Sequence, residues 1–330
     1  MEQEITFNDL GDLIKKVTEY KDSRKRQKTD TDRVQKTPYN VDMEHLVYSI
    51  SSLKKLNDLI GMDFIKKNIV DQILFYAQGL NTNEMMHTCL TGPPGVGKTT
   101  LGKILAEVYC SLGYLSTGSF KLVSRSDLIA GYVGQTALKT IKVLKESIGG
   151  VLFIDEAYSL GGNTDESGTG YSKECIDTIN KFLSENTEDF ILIIAGYRED
   201  LDKYFFSMNK GLARRFPWNY DISKYSITNL KDIFVYQVIE NKWSLDLELC
   251  ANNYKTIEDL FNEYSSIFEN NGGDTLLLFD KAKICHSRRV FGKKKRFKKV
   301  LNITDIRLAA ELLKCSKKQP EEPPPFGMYL

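Results

Sequence analysis

Two short segments carry residue types whose spacing suits chemistry on phosphates. The first, Gly92-Pro93-Pro94-Gly95-Val96-Gly97-Lys98-Thr99-Thr100, fits the pattern G-x-x-x-x-G-K-[ST]. Glycines let successive backbone N–H groups turn inward and cradle an anion. A helix beginning at Lys98 adds the positive end of its dipole. A short apolar run precedes the segment and an amphipathic stretch follows it, which is the strand–loop–helix setting the motif requires. Residues 92–100 are therefore candidate nucleotide contacts. Lys98 is expected to reach the β- and γ-phosphates, and the Thr99 hydroxyl to bind Mg²⁺. The bland alternative is a glycine-rich turn capping a helix.

The second segment is Val151-Leu152-Phe153-Ile154-Asp155-Glu156, four apolar residues ending in two carboxylates. A buried parallel strand delivers its C-terminal end to the ligand side of a sheet. Asp155 would then help to hold Mg²⁺, usually through water, and Glu156 would orient or deprotonate an attacking water. Alone, such a pair reads as a solvated loop. Downstream of a phosphate loop, with room between for one strand and its flanking helices, it reads as that loop's catalytic partner. A glutamate beside the metal-binding aspartate points to hydrolysis rather than transfer to an acceptor.

Elements able to position these groups are visible as alternating periodicities. Short apolar runs at His87–Thr91, Phe120–Val123, Val151–Ile154, Phe190–Ala195 and Trp218–Ile222 predict strands. Between them, Leu101, Ile104, Leu105, Val108 and Leu112 fall on one helix face. So do Leu138, Ile141, Leu144 and Ile148, and again Ile176, Ile179 and Leu183. Strands alternating with helices argue for a parallel sheet covered on both sides. After about residue 223 the strands stop, and helices are predicted near 227–240, 257–268, 275–290 and 305–314, with Thr304-Asp305 as N-cap of the last. The first 50 residues read as an appendage. Residues Asp22 to Asp32 hold no apolar side chain and are expected to be disordered. Four of the 8 prolines fall at 320 and 323–325, which reads as an extended tail.

With 330 residues, 42% hydrophobic and 27% charged, the chain suits about two globular domains. The net charge of +1 argues neither for a nucleic-acid coat nor for an acidic tail protein. The longest apolar runs fall far short of the roughly 20 residues that span a bilayer, so no membrane association is expected. The acidic, mixed N-terminus is not a signal peptide. Six cysteines without a C-x-x-C pair, and only three histidines, make a zinc site unlikely on composition; the thiols read as reduced and intracellular. The expected location is cytoplasmic.

With both motifs placed, the chain resembles the AAA+ ATPases, and within them the branch of the red-type Rubisco activases (CbbX/CfxQ) and the sporulation stage V protein K group. The residues carrying the resemblance are Leu56-Asn57-Asp58-Leu59-Ile60-Gly61-Met62, Gly131-Tyr132-Val133-Gly134-Gln135-Thr136-Ala137, Gly149-Gly150-Val151 through Asp155-Glu156-Ala157-Tyr158, Ile194-Ala195-Gly196-Tyr197-Arg198 and Gly211-Leu212-Ala213-Arg214-Arg215-Phe216-Pro217. The resemblance implies a parallel five-stranded sheet of order 5-1-4-3-2 followed by a small all-α lid. It implies ATP and Mg²⁺ as ligands and a ring, six subunits in the family, with ATP at each interface. The implied boundaries are 1–50 for the appendage, 51–222 for the ATPase domain, 223–316 for the lid and 317–330 for the tail. Arg215 matches the arginine finger that reaches a neighbour's γ-phosphate, with Arg214 in support. Tyr132-Val133-Gly134 matches the loop that lines a central pore and grips an extended client without reading its sequence. The glycine-rich stretch 161–170 would be a second pore loop.

Two departures stand out. Where the family often has an asparagine after its fourth strand, this chain has Tyr197. Where its lid carries G-x-R-x-x-R, this chain has Gly272-Gly273-Asp274-Thr275-Leu276, with no arginine. Arg288 or Arg289 is the candidate substitute, and slow hydrolysis would follow if neither served. The run Lys293-Lys294-Lys295-Arg296-Phe297-Lys298-Lys299 reads first as a solvated loop, then as a nuclear import signal or a contact for an anionic partner. The run Arg24–Lys28 reads the same way. The expected function is ATP-driven remodelling or translocation of a protein client. The alternatives are an ATPase acting on nucleic acid, as a loader or helicase partner, and a nucleotide-binding scaffold that barely turns over.

Overall fold

The computed structural model describes residues 9–27, 41, 43–80, 84–132, 134–161, 169–246 and 254–318. Five strands form one parallel sheet: β1 (Thr88–Thr91), β2 (Phe120–Val123), β3 (Val151–Ile154), β4 (Ile191–Gly196) and β5 (Trp218–Asp221). Their order is β2-β3-β4-β1-β5, the expected order read from the other edge. Every residue of β1, β3 and β4 is buried, whereas β2 and β5 keep partly exposed positions, as suits strands at the two edges. The register sets Thr88 beside Trp218 and Ile193, so the strands start and finish nearly level.

The helices lie on both faces. Leu152, Ile154, Leu192 and Ile194 share a core with Ile176, Ile179 and Leu183 of α7 (Thr169–Glu185), and with Leu144 of α6 (Thr136–Lys145). The alternate β3 residue, Phe153, meets α4 (Lys98–Ser111) on the opposite face. Gly102 makes that approach possible: a Cβ there would lie 2.5 Å from the Phe153 ring. A short helix α5 (Arg125–Leu128) follows β2, with Ser124 and Asp127 bonded reciprocally as a capping box.

The first 50 residues contain more structure than their composition suggests. Helix α1 (Leu10–Gln27) presents Leu10, Leu13 and Val17 as a buried stripe and packs on α2 (Met43–Asn57) and α3 (Asp63–Ala77). Its start is capped by Asp9, whose Oδ1 accepts from the Asp12 N–H at 2.8 Å. The polar residues 22–27 continue a helix already nucleated upstream, where propagation is easier than initiation. Arg24 also pairs with Glu44 at 2.8 Å. Residues 28–32, the rest of the expected disordered stretch, lie outside the described residues, as do residues 319–330 of the Pro-rich tail; residues 317 and 318 are helical.

The chain divides into two compact units. One is Met1–Gly92 with Lys98–Ile222, and the other is Pro93–Gly97 with Ser223–Leu330. A three-residue turn α8 (Arg198–Asp200) follows β4 in the first unit. The second unit is built from α9 (Ile227–Glu240), α10 (Tyr254–Glu263), α11 (Gly272–Val290) and α12 (Ile303–Lys318). Phe234, Phe261 and Phe279 meet edge to face at its centre, with Leu278, Ile306 and Ala309 around them. Two details correct the sequence reading. A two-residue parallel ladder joins Ser244–Leu245 to Val300–Leu301, so the strands do not end at β5. The cap of α12 is Asn302 rather than Thr304-Asp305: Asn302 Oδ1 accepts from the Asp305 N–H at 3.0 Å, and Asp305 Oδ2 accepts from the Asn302 N–H at 3.2 Å. Asp305 is thus the N3 partner of a capping box.

Candidate functional site

The phosphate loop follows β1 without a break. Gly92, Gly95 and Gly97 have φ of 147°, 72° and 84°, values that favour glycine. At Gly92 a Cβ would also lie 2.4 Å from the Ile222 carbonyl oxygen. Within the second unit, Tyr225 Oη donates to Val96 O at 2.8 Å, Asn271 Nδ2 to Pro94 O at 3.1 Å and the Gly272 N–H to Gly95 O at 3.0 Å. The carbonyls of Pro94, Gly95 and Val96 are therefore all engaged within the second unit.

Lys98 and Thr99 open α4 in the first unit. Lys98 Nζ donates to Gly92 O at 2.8 Å and lies 5.6 Å from the Tyr197 ring centroid. Burial lowers its pKa from the usual lysine value, while the charges of Asp155 and Glu156 oppose that shift. Asp155 and Glu156 leave the end of β3, and Tyr197 leaves the end of the adjacent β4. Thr99 Oγ1 donates to Asp155 Oδ2 at 3.3 Å. The two motifs, separated by more than fifty residues in the chain, meet there. Asp155 Oδ1 also accepts from the Glu156 N–H at 3.1 Å. Glu156 has φ of 50°, a left-handed backbone uncommon for a side chain of its size. Strain of this kind costs about 1–3 kcal/mol and clusters at working sites. A cleft of about 580 Å³ adjoins the pair, lined by Ser124, Arg125, Gly131, Asp155 and Glu156.

Thr99 Oγ1 and Asp155 Oδ2 are hard oxygen donors close enough to share one cation. Mg²⁺ is ordinarily held by one or two protein oxygens together with waters and substrate phosphates, so the donor set fits it.

Arg215 is placed elsewhere. It precedes β5 in the turn Ala213–Arg215, and its Nη2 donates to Ser184 Oγ, near the end of α7, at 2.7 Å. His87, just before β1, is its electrostatic neighbour. Both stand at the edge where strands begin, whereas Lys98, Asp155 and Glu156 stand where strands end. The four residues of β1 separate these edges by roughly 10 Å at about 3.3 Å per residue. Arg214 is exposed.

A model of the ATPase family associated with various cellular activities (AAA) matches residues 88–216, from β1 to the turn before β5. A cfxQ-like protein of Acanthamoeba polyphaga mimivirus is 40% identical over 278 residues, covering 83% of this chain and 67% of that protein. The chain belongs to the CfxQ-like branch of the AAA ATPases. Stage V sporulation protein K of Bacillus subtilis is 38% identical over 208 residues, covering 59% of this chain and 62% of that protein. The plasmid CbxX of Cupriavidus necator is 35% identical over 199 residues, with 58% and 62% covered. The fold also resembles the FIGL-1 AAA domain solved with ADP, at TM-score 0.57 and 20% identity over 78% of this chain and 83% of that one. The RuvB Holliday junction branch migration motor of Thermotoga maritima gives 0.53 and 18%, with 78% and 71% covered.

The remaining AAA features are distributed as follows. Tyr132 is 74% exposed and Gly134 has φ of 77°; Val133 lies outside the described residues, as do residues 162–168 of the second glycine-rich loop. In the helical unit, Arg289 is committed to structure. Its Nε donates to Asp305 Oδ1 at 2.8 Å, and its Nη2 to Asp305 Oδ2 at 2.8 Å and Val300 O at 2.9 Å. Of the two candidate lid arginines, only Arg288 is exposed. The basic run 293–299 is solvent-facing around a single 3₁₀ turn. No helix among the described residues is long and apolar enough to cross a membrane. Sequence reasoning passed over Arg125, which donates to the carbonyls of Ser159 and Leu160 and to Ser172 Oγ. It holds the chain after Glu156 in place, a long-range role that no local spacing signals.

Proposed function

We propose that this chain hydrolyses ATP in a homo-oligomeric ring and spends the energy remodelling or threading a protein client. The observation that carries the reading is the Thr99–Asp155 contact, which brings the phosphate loop and the carboxylate pair to one place. The loop's N–H groups and Lys98 bind the triphosphate. Thr99 and Asp155 would hold Mg²⁺, which would supply positive charge to offset that of the phosphates. Glu156 accepts a proton from water as its oxygen attacks the γ-phosphorus; the bond to the β-phosphate oxygen breaks, leaving ADP and phosphate. Arg215 is the group offered to a neighbouring subunit's γ-phosphate, and six subunits is the ring size the family suggests. Tyr132, Val133 and Gly134 form the client-gripping loop.

The test is Glu156→Gln. Turnover should fall by a factor on the order of 10²–10⁴, as expected for loss of a general base, while ATP binding persists and the ATP-loaded protein retains its client in a pull-down. Unchanged turnover would instead support the scaffold reading, which the missing arginine at 272–276 and the engagement of Arg289 by Asp305 favour. The exposed basic run 293–299 favours the nucleic-acid reading. Stimulation of turnover by single-stranded DNA, lost at raised salt, would move the assignment there.

A further inference from the structure

One strongly charged segment takes no part in the hydrolysis. The 24 residues from Lys281 to Thr304 hold ten Lys and Arg and no Asp or Glu. The whole chain carries a net charge of +1, so the rest of it is net negative and positive charge is concentrated here. Lys283 is paired with Asp280, and Arg289 with Asp305. The six cations of the run 293–299 are all exposed, and none is in an ion pair among the described residues. The run is held at both ends. The Lys293 N–H donates to Val290 O at 2.9 Å, where α11 finishes, and Lys299 O accepts from the Ser244 N–H at 2.9 Å, where the short ladder begins. Between them the Phe297 and Lys298 N–H groups close one 3₁₀ turn onto Lys294 O and Lys295 O, at 3.1 and 3.0 Å. Two rings interleave with the cations. Phe291 is 91% exposed. Phe297 is half-buried, with the Arg296 guanidinium 4.8 Å from its ring centroid.

The chemistry of these groups selects a partner. Cations with no carboxylate of their own bind a polyphosphate backbone, and the release of its counterions drives the association. An open ring among them offers a flat apolar face on which a base can stack. A backbone already fixed at both ends spares part of the ordering cost of binding. Duplex DNA keeps its bases stacked on one another and shows such a turn little but phosphate; its major groove is entered by a helix or a two-stranded ribbon. An acidic peptide would match the charge but has no planar group for Phe291. An anionic bilayer is entered by a whole apolar face, whereas Phe291 alone of the two rings stands open here. A single strand satisfies both the charge and the ring.

We propose that the turn Phe291–Lys299 is a docking surface for single-stranded nucleic acid, its cations following the phosphates and Phe291 stacking on a base. Docking there uses the second unit alone and is independent of how Glu156 acts. It is also distinct from being the strand on which an ATPase works, which stimulated turnover would show.

The experiment follows binding of a fluorescein-labelled oligothymidylate to the full chain, without ATP, by anisotropy across a KCl series. Log affinity should fall against log salt with a slope of about −4, at about −0.7 for each phosphate neutralised. Lys293→Gln/Lys294→Gln/Lys295→Gln should make that slope shallower by about 2. Phe291→Ala should weaken binding about tenfold, the scale of one base stacked on one ring, and leave the slope alone. Phe291→Leu, apolar but not flat, should lose as much, and Phe291→Trp should keep full binding. Lys67→Gln/Lys142→Gln/Lys145→Gln removes equal charge from exposed positions of the first unit and should bind as the parent does. Every substituted side chain is exposed, so thermal melting should match the parent throughout. The proposal is overturned by absence of binding at the lowest salt, by a slope that the 293–295 variant leaves untouched or that the first-unit variant flattens equally, by full binding of Phe291→Ala, or by a duplex bound as tightly as the single strand. Polyglutamate or phosphatidylserine vesicles bound in preference to the oligonucleotide would overturn it too, and would give the surface to an acidic protein or a membrane.

Discussion

Acid should destabilise the α/β unit through a single histidine, and the size of the effect can be worked out. His87 is fully buried at the start of β1, between the rings of Phe190 and Phe216. Its Nδ1 accepts from the Leu192 N–H at 3.0 Å, so the proton belongs on Nε2, which has no partner. Burial first, and the Arg215 charge second, lower its pKa from 6.5 to about 3. The unfolded chain takes up a proton below 6.5 that the folded chain refuses until about 3, so U binds more protons than N across that window. Stability is therefore fully present above pH 6.5 and is lost as pH falls toward 3. At pH 5, one and a half units below 6.5, the loss from this group is about 2 kcal/mol, at about 1.36 kcal/mol per unit. That is a large share of the roughly 5–15 kcal/mol that holds a typical domain.

The assay is urea unfolding at pH 7.5 and pH 5, followed by Trp218 fluorescence in a Trp243→Phe background so that the signal comes from the α/β unit. His87→Gln can still accept from the Leu192 N–H but does not titrate. The parent should lose about 2 kcal/mol more between the two pH values than the variant does. Arg215→Ala removes only the lesser cause of the shift, so burial still holds the folded-state pKa well below 5 and the loss between these two pH values should stay nearly unchanged. An identical pH response in parent and His87→Gln would refute the reasoning.

Two further outcomes are expected. Arg215→Ala should abolish turnover while ATP binding remains, and mixing it with Lys98→Ala subunits should restore part of the activity, because each supplies what the other lacks; no recovery would rule out a finger acting between subunits. Gly102→Ala should lower the melting temperature, since its Cβ would sit 2.5 Å from the Phe153 ring; overpacking of about 1–3 kcal/mol outweighs the roughly 1 kcal/mol that alanine gains in a helix, and a variant as stable as the parent would contradict it.

Much of this architecture was legible in the sequence because it is written in local terms. The five apolar runs became the five strands, Phe120–Val123 and Val151–Ile154 with unchanged ends. The glycine turn and the Asp-Glu pair were recognisable from residue type and spacing, and the sheet brought them together. What stayed hidden depends on partners distant in the chain. Residues 22–27 are helical because of Leu13 and Val17 upstream. The ladder of Ser244–Leu245 with Val300–Leu301 is too short to leave a period. Arg289 looked available until Asp305 was seen to hold it. Tyr197 looked like a lost asparagine, and only the fold shows that it meets a second tyrosine beside the carboxylate.

The parallel sheet also divides the chemistry in a way that bears on assembly. Its C-terminal edge collects Lys98, Thr99, Asp155 and Glu156, because parallel strands deliver their following loops to one side. Its N-terminal edge collects His87 and Arg215, because those residues lead into β1 and β5. No rearrangement of loops brings Arg215 to the phosphate loop of its own subunit while β1 stays in register with β5, since the length of the strand lies between them. If Arg215 contributes to hydrolysis, it does so on a nucleotide held by another copy, and the need for a second copy then follows from strand direction. Its bond to Ser184 gives the side chain a defined place within its own chain.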